Sequence, residues 1–304
     1  MQGSPFNTAS PQAQAISEVF IISLITLAFI LLLVIGLVIF VSIKYRGKEG
    51  DAEPPQIFGN KKLEIGWTVV PGLILIFLFV WTIISSQRSD PAIPSGSNYD
   101  LVVTAHQWWW ELRYPQSGVI TANEIHIPVN KKWLVQIKSA DVIHSFWVPK
   151  LARKMDAIPG HPNHIWLQAD KAGTYWGTCS EYCGAQHAGM HIMVIAESDS
   201  AFNAWLNEQQ SSPTLAPNSD AAKGQTLFNE KTCLNCHVIK SVGPNLTHVG
   251  SRRTLASGVI KNTPENMARW LHDPQSIKPG CNMPDLNLTD QEVEYLAAYL
   301  EASK

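Results

Sequence analysis

Two long uncharged apolar segments restrict the possible folds of this chain more than any other feature. Residues 19–43 and 65–87 contain no Asp, Glu, Lys or Arg. Each segment is longer than the roughly 20 residues that a helix needs to cross a bilayer. Buried core helices are the alternative interpretation, but core helices rarely combine this length with this hydrophobicity. The two segments therefore predict a transmembrane helix hairpin.

The loop between these segments sets the predicted orientation in the membrane. Its basic residues are Lys44, Arg46, Lys48, Lys61 and Lys62. Loops rich in Lys and Arg stay in the cytoplasm. Residues 1–15 contain no Lys or Arg, so they can be translocated easily and do not resemble the basic start of a signal peptide. We therefore expect both termini, and everything after residue 88, on the external side.

The chain after residue 98 has the pattern of an all-β domain. Short runs rich in β-branched and aromatic residues recur at steady spacing. The runs are residues 99–104, 108–114, 120–127, 133–139, 142–148, 164–169, 174–178 and 191–196. They predict a β-sandwich, followed by a short amphipathic helix at 199–209. The formal net charge of −2 gives no general attraction to nucleic acid, so we expect no such partner.

The loop between the last two predicted strands concentrates metal ligands. It contains Cys179, Cys183, His187 and Met190, and thiolate, imidazole and thioether together favour copper over harder ions. His144, at the end of a predicted strand, is the best candidate for a second imidazole. The two sulfurs could then bridge two copper ions. A disulfide, a structural zinc site and a core role for Met190 are the alternatives, but none of them uses all five side chains.

The segment at 211–219 is polar and contains Pro, which predicts a linker. Asp220 is a plausible helix N-cap, so we expect a further domain to begin there. Cys233, Cys236 and His237 then form a C-x-x-C-H motif, the signal for covalent haem attachment with the His as iron ligand. A metal-binding Cys-x-x-Cys knuckle is the alternative interpretation. The external location favours haem.

Two methionines are candidates for the sixth iron ligand. Met283 precedes a final helix that begins with the capping box Thr289–Glu292. Met267 lies in a predicted helix that starts at Thr263 and Pro264, where a core role is more common. We therefore predict Met283 as the ligand, because Met/His ligation is typical of cytochromes c.

The loop at 179–190 resembles the binuclear copper (CuA) motif of cytochrome c oxidase subunit II, Cys-x-Glu-x-Cys-x-x-x-His-x-x-Met. The whole chain resembles subunit II of a caa-type oxidase. This resemblance implies a multidomain membrane protein with a two-helix transmembrane hairpin, a cupredoxin-like Greek-key β-sandwich and an all-α cytochrome c domain. The expected boundaries are 1–15 for an external segment, 16–88 for the hairpin, 89–210 for the CuA domain, 211–219 for the linker and 220–304 for the cytochrome c domain.

The resemblance also implies roles for three further residues. Glu181 offers copper its backbone carbonyl, and its carboxylate binds a magnesium ion shared with subunit I. Trp108 matches the first Trp of an aromatic stretch that borders the copper site, where electrons enter. Glu64, before a Trp-Thr pair, matches a Glu that admits protons to subunit I, although a solvated acid at headgroup level is the alternative.

The function implied is that of the electron-entry subunit of a respiratory haem-copper oxidase. Electrons would pass from an external donor, such as cytochrome c or a quinol-oxidising complex, to haem c, to CuA and to subunit I, where oxygen reduction drives proton translocation. Subunit I, other membrane subunits and the bacterial inner membrane are the expected partners, with both cofactor domains in the periplasm. A CuA-containing nitric oxide reductase and a membrane-anchored electron carrier are the alternatives. Glu181 and Glu64 favour oxygen reduction over the first alternative. Trp108 and Glu181 argue against the second, because they serve contact with a partner.

Overall fold

A computed structural model describes residues 6–53, 55–237 and 242–304 of the chain. It divides into two units: residues 14–91 form one, and residues 92–304 form the other together with the N-terminal residues up to Ala13. The first five residues of the predicted external segment lie outside the described residues.

The first unit contains two long helices, α1 (Pro11–Lys44) and α2 (Lys61–Ser89), each long and apolar enough to cross a membrane. Asn60 caps α2, because its side chain accepts hydrogen bonds from two backbone amides of the first turn. Glu18 and Arg88 form an ion pair at 3.1 Å. The beginning of α1 therefore lies beside the end of α2, as an antiparallel hairpin requires.

Helix α1 begins earlier than the predicted hairpin boundary at residue 16. Ser10 explains this start, because its Oγ atom accepts a hydrogen bond from the Ala13 amide at 3.0 Å, as an N-cap residue does. The Ser10 hydroxyl also donates to the Leu151 carbonyl, at 2.6 Å. The residues just before α1 are thereby attached to the second unit, to which they belong.

The second unit begins with a β-sandwich, called the sandwich domain below. Its strands are β1 (Leu101–His106), β2 (Trp109–Arg113), β3 (Ile120–Ala122), β4 (Glu124–Pro128), β5 (Trp133–Ser139), β6 (His144–Trp147), β7 (Met155–Ala157), β8 (Asn163–Leu167), β9 (Gly173–Cys179) and β10 (His191–Glu197). They form two five-stranded sheets, in the orders β3-β2-β1-β5-β8 and β4-β10-β9-β6-β7. Helix α3 (Asp199–Gln210) follows. The predicted cupredoxin-like sandwich is confirmed.

Two details of the strand prediction are wrong. Residues 120–127 were expected to form one strand, but Asn123 divides them with a φ of 63°, in the left-handed region that Asn tolerates. Its Oδ1 atom accepts a hydrogen bond from the Trp110 amide at 2.9 Å, which stabilises this break. Strand β7 was not predicted, because three residues are too few to show alternation.

The sandwich core lies between the two sheets. Trp110, Phe146, Ile125 and Ile137 are fully buried there. The Trp110 and Phe146 rings meet edge to face, with their centroids 5.8 Å apart. Phe146 lies on β6, the strand that begins with the predicted copper ligand His144 and pairs with β9, which ends at the predicted ligand Cys179.

The C-terminal domain is mainly helical. Its elements are α4 (Asp220–Glu230), α5 (Cys233–Cys236), β11 (Thr254–Leu255), β12 (Ile260–Lys261), α6 (Pro264–His272), α7 (Pro274–Ile277) and α8 (Asp290–Ala302). The capping box of Thr289 and Glu292 at the start of α8 is present. The prediction of Asp220 as N-cap is wrong. Ser219 has the extended backbone of a cap and accepts from the Ala222 amide, which leaves Asp220 in the first turn.

Candidate metal and haem sites

The side chains predicted to bind copper lie close together at one end of the sandwich. The Sγ atoms of Cys179 and Cys183 are 3.7 Å apart. Cys179 Sγ lies 3.9 Å from His144 Nδ1, and Cys183 Sγ lies 3.8 Å from His187 Nδ1. Cys183 Sγ is also 3.9 Å from Met190 Sδ. All five predicted side chains are therefore brought together.

These separations fit metal coordination. Ligand bonds of about 2.0–2.3 Å at tetrahedral angles place neighbouring ligand atoms roughly 3.3–3.8 Å apart. The sulfur separation is far above the ~2.05 Å of a disulfide. His144, Cys179 and Cys183 are buried and their ligand atoms lie within 4.8 Å of one another, so they could hold a metal ion. The backbone carbonyl of Glu181, 3.2 Å from Cys179 Sγ, is a further donor at the same place.

A hydrogen-bonded carboxylate orients His144. Asp141 Oδ1 lies 2.8 Å from His144 Nε2, which leaves Nδ1 directed at the sulfurs. Burial alone would lower the pKa of His144, but the contacts with Asp141 and Cys179 outweigh burial and raise it. Burial likewise acts to raise the pKa of Asp141, yet its hydrogen bonds with His144 and with backbone amides hold that pKa below its ordinary value. Such partners fix the ring position of a metal-binding His.

The two thiols act as a pair. The hydrogen bond between the thiols is the largest influence on Cys179: it outweighs burial and holds the pKa of that thiol well below its ordinary value. The same contact, together with burial, raises the pKa of Cys183. One sulfur is therefore readily present as a thiolate, the form that binds soft metal ions.

Trp108 connects directly to the copper loop. Its indole Nε1 donates to the Cys183 carbonyl at 3.0 Å, and the Gln107 side chain donates to the same oxygen at 2.7 Å. The Trp108 ring covers Gly184, where an added Cβ atom would lie 3.1 Å from the ring and where φ is +112°. Glycine is needed at this position both for its conformation and for the close approach of the indole.

The C-x-x-C-H motif lines a large cavity in the C-terminal domain. About 1370 Å³ of empty space, part of it open to solvent, is bounded by Cys233, Cys236, His237, Met267 and Met283 among others. His237 Nδ1 lies 2.9 Å from the Pro244 carbonyl, which leaves Nε2 for an iron ion. Burial and the nearby Arg252 lower the pKa of His237, although the contact with Pro244 opposes them. A neutral imidazole is the form that binds metal.

A glycine makes room for the His237 ring. A Cβ atom at Gly243 would lie 2.9 Å from two atoms of that imidazole. Gly243 and Pro244 therefore pack directly on the predicted iron ligand. The apolar lining of the cavity, the two thiols and the free Nε2 atom fit a covalently attached haem.

Met267 and Met283 both line this cavity, but their settings differ. Met267 lies on α6 and is 1% exposed, within the apolar core of the domain. Met283 is half-buried on the loop before α8. Gln275 holds this loop by donating to the carbonyls of Met283 and Cys281, at 2.8 and 3.0 Å. These settings favour a core role for Met267 and leave Met283 as the predicted ligand.

The sandwich domain forms one wall of the same cavity. Trp108, Trp109 and Gln107 line it from the sandwich side. The Trp109 indole donates to the Val242 carbonyl at 3.0 Å, and its ring stacks on His106 with centroids 4.3 Å apart. The two candidate sites are therefore neighbours, separated by the aromatic segment that sequence reasoning had placed beside copper alone.

The remaining predicted residues are exposed. The Glu181 carboxylate points to solvent next to the copper loop, where it accepts from the Tyr182 amide at 3.2 Å. Glu64 accepts a hydrogen bond from the Asn60 amide at 3.3 Å, so it supports the start of α2. Magnesium binding by Glu181 and proton entry at Glu64 stay predictions.

Sequence reasoning missed three residues at these sites. Asp141 could have been found, because it precedes His144 by three residues and a carboxylate commonly supports a metal-binding imidazole. Glu124 and Lys278 could not, because their partners lie far away in the chain. Both are buried charged residues at the contact between the sandwich and C-terminal domains.

Comparison with known proteins matches these features. Family models for the cytochrome c oxidase subunit II transmembrane domain, its periplasmic domain and cytochrome c match residues 4–84, 116–197 and 221–304. Cytochrome c oxidase subunit 2 of Alkalihalophilus pseudofirmus is 37% identical over 97% of this chain and 89% of its own length. The Bacillus subtilis protein of that name is 36% identical over 83% of this chain and 77% of its own length.

A solved structure is also similar. The periplasmic domain of cytochrome oxidase subunit II from Bradyrhizobium japonicum is 34% identical and covers 39% of this chain and 97% of its own, with a TM-score of 0.37. The matched domains indicate copper and haem as cofactors, a membrane anchor and a place beside subunit I. The chain belongs to the cytochrome c oxidase subunit II family and is the electron-entry subunit of a haem-copper oxidase.

Proposed function

We propose that electrons from an external donor enter at haem c, pass to a binuclear CuA centre and leave for subunit I. The shared wall between the two sites carries this proposal. Trp108 lines the haem cavity and also donates a hydrogen bond to the carbonyl of Cys183, a predicted copper ligand. The external donor can be a cytochrome c or a quinol-oxidising complex.

The positions of the donor atoms support two copper ions. His144 and the Glu181 carbonyl lie next to Cys179 Sγ, whereas His187 and Met190 lie next to Cys183 Sγ. Each sulfur thus has its own set of further donors. Two bridging thiolates would give each ion one imidazole and one weaker ligand. Copper supplies one-electron exchange at such a site.

On the haem side, the proposal assigns Cys233 and Cys236 to thioether bonds and His237 and Met283 to the iron. The cavity walls are apolar around these residues, with Leu271 and Leu296 among them. An apolar pocket excludes water and favours the less charged, reduced haem. The protein thereby tunes a carrier whose electron chemistry belongs to the haem itself.

Two acidic residues and the transmembrane hairpin have proposed roles in the rest of the complex. Glu181 would share a magnesium ion with subunit I, and Glu64 would admit protons for the translocation coupled to oxygen reduction. The hairpin at 16–88 would anchor the chain in the bacterial inner membrane, with the CuA domain at 89–210 and the cytochrome c domain at 220–304, joined by the linker, in the periplasm. The exposure of both carboxylates is compatible with such contacts.

Replacement of Trp108 by Leu tests the proposed route. Trp166→Leu is the matched control, because Trp166 is a half-buried indole on β8, the strand at one edge of the sheet that also contains β1 and β2. We expect Trp108→Leu to leave the donor-to-haem rate and both optical spectra unchanged while it slows copper reduction by prereduced haem c. Stopped-flow absorbance measures the two steps separately.

Paramagnetic resonance of the same samples tests the copper assignment. We expect one unpaired electron shared by two copper ions in the oxidised chain, and loss of that signal in Cys183→Ser. A signal from one localised copper would contradict the binuclear centre. Equal transfer rates in Trp108→Leu, Trp166→Leu and wild type would contradict the route.

A further inference from the structure

Two buried charged side chains cross the contact between the sandwich and C-terminal domains in opposite directions. Lys278, 4% exposed, projects from the C-terminal domain. Its Nζ atom donates to the carbonyls of Trp108 and Gly189, both at 2.9 Å, and to the Ala256 carbonyl of its own domain at 3.1 Å. All three donors of the ammonium group are therefore used, and two of them bind the sandwich domain.

Glu124 makes the reciprocal contact. It is 3% exposed at the start of β4, and its carboxylate accepts hydrogen bonds from the amides of Arg253 and Thr254, at 2.9 and 2.8 Å. The Thr254 hydroxyl adds a third bond at 2.7 Å. The buried carboxylate of the sandwich domain is thus satisfied by the backbone of the C-terminal domain.

Charges placed in this way select one arrangement of the two domains. Removing a charge from water is unfavourable unless hydrogen bonds replace those of water. That cost is visible at Lys278, where burial lowers the pKa to about 8. The full set of partners exists in this arrangement, whereas a shifted contact would leave an ammonium and a carboxylate buried without them.

We propose that Lys278 and Glu124 are positioning residues that lock the C-terminal domain onto the sandwich domain, so that electrons cross a fixed contact between haem and copper. The statement about electrons rests on the proposed function above. Lys278 acts at the transfer route itself, because it holds the carbonyl of Trp108 and that of Gly189, the neighbour of Met190. Glu124 binds Arg253 and Thr254, which are close in the chain to Ala256, a partner of Lys278.

Hydrogen exchange of backbone amides in the full chain, with both cofactors bound and in detergent, tests this lock. The Arg253 and Thr254 amides report on the Glu124 end. The His191 amide, which donates to the Ser257 carbonyl of the other domain at 3.1 Å, reports near the Lys278 end. In a locked contact the two ends open together, so a substitution at one end changes exchange at both.

We expect Lys278→Met to raise the exchange rate of the Arg253 and Thr254 amides about tenfold to hundredfold. This factor corresponds to the stabilisation lost when hydrogen bonds to a charged group are removed. Glu124→Gln should raise exchange of the His191 amide by a similar factor. Lys223→Met, which removes an exposed lysine of α4, is the matched control and should change none of these amides.

Optical spectra of haem and copper show whether each variant is folded. If Lys278→Met does not fold, the proposal is tested by Glu124→Gln alone. The proposal is wrong if amide exchange rises only next to the substituted residue, or if the exchange rates equal those of Lys223→Met. Copper reduction by prereduced haem c is measured on the same samples. If wild type shows no such transfer, the proposed function is wrong, and the exchange data still test the fixed contact. If wild type transfers electrons but the amides at the unsubstituted residue do not respond, only the proposal of a fixed contact is wrong.

Discussion

Lengthening the linker at 211–219 separates two ways in which the haem could reach the copper site. Helix α3 ends at Gln210 and α4 begins at Asp220, so the residues between them form the covalent connection of the two domains. If the linker merely tethered the C-terminal domain, electron transfer would depend on how often the domain meets the sandwich. A flexible linker of this length has a root-mean-square span of about 17 Å.

A tethered domain and a fixed contact predict different effects of linker length on the rate of electron transfer. Tripling the linker lowers the local concentration of a tethered domain about fivefold, since that concentration falls with roughly the −3/2 power of length. The corresponding free energy is about 1 kcal/mol. Hydrogen bonds to a charged group contribute about 1.5–3 kcal/mol each, and Glu124 and Lys278 together make five such bonds across the contact. We therefore expect less than about a twofold change in the rate of copper reduction by haem c.

The assay is stopped-flow reduction of haem c followed by the absorbance of copper. The test variant carries an insertion of about 18 Gly and Ser residues, which triples the linker. A same-length Gly/Ser replacement is the control, because Pro213 and Leu215 of the natural linker line a groove beside the C-terminal domain. A fivefold slower transfer in the insertion variant alone would refute a locked contact and support a tethered encounter.

Two further substitutions test individual assignments. Asp141→Asn weakens the hydrogen bond that orients His144 at Nε2. We expect copper affinity, measured in competition with a chelator, to fall about 10- to 100-fold. Unchanged affinity would mean that Asp141 does not orient the ligand. Met283→Ala should lower the haem potential and remove the weak sulfur-to-iron absorption band, as titration with optical detection would show. Met267→Ala should instead cost about 2–5 kcal/mol of stability in thermal unfolding, and the opposite pair of results would reverse the ligand assignment.

The elements that sequence predicted well are those with a strong local signal. The two apolar segments, the alternating strands such as residues 133–139 and the capping box at Thr289 each depend on neighbours along the chain. The copper loop was equally visible, because four of its five predicted side chains lie within 179–190. His144 needed one assumption, that two strand ends meet, and the structure brings it to Cys179.

The errors came from choices that local sequence leaves open. Ser219 and Asp220 are both good capping residues, and the backbone angles of Ser219 decided between them. Asn123 interrupts a run of strand-forming residues because its side chain has a partner in β2. Propensity alone does not reveal such a partner, since tertiary contacts override it.

The contact between the two domains was beyond sequence reasoning for a different reason. Gln107 shows why: its amide donates to Asp141, its side chain to the Cys183 carbonyl, and its own carbonyl accepts from Asn282. These partners lie 34, 76 and 175 residues away. One short segment, Gln107 and Trp108, therefore connects the support of His144, the copper loop and the wall of the haem cavity. Because the two sites share this segment, a change in its position would disturb the orientation of a copper ligand and the electron route together.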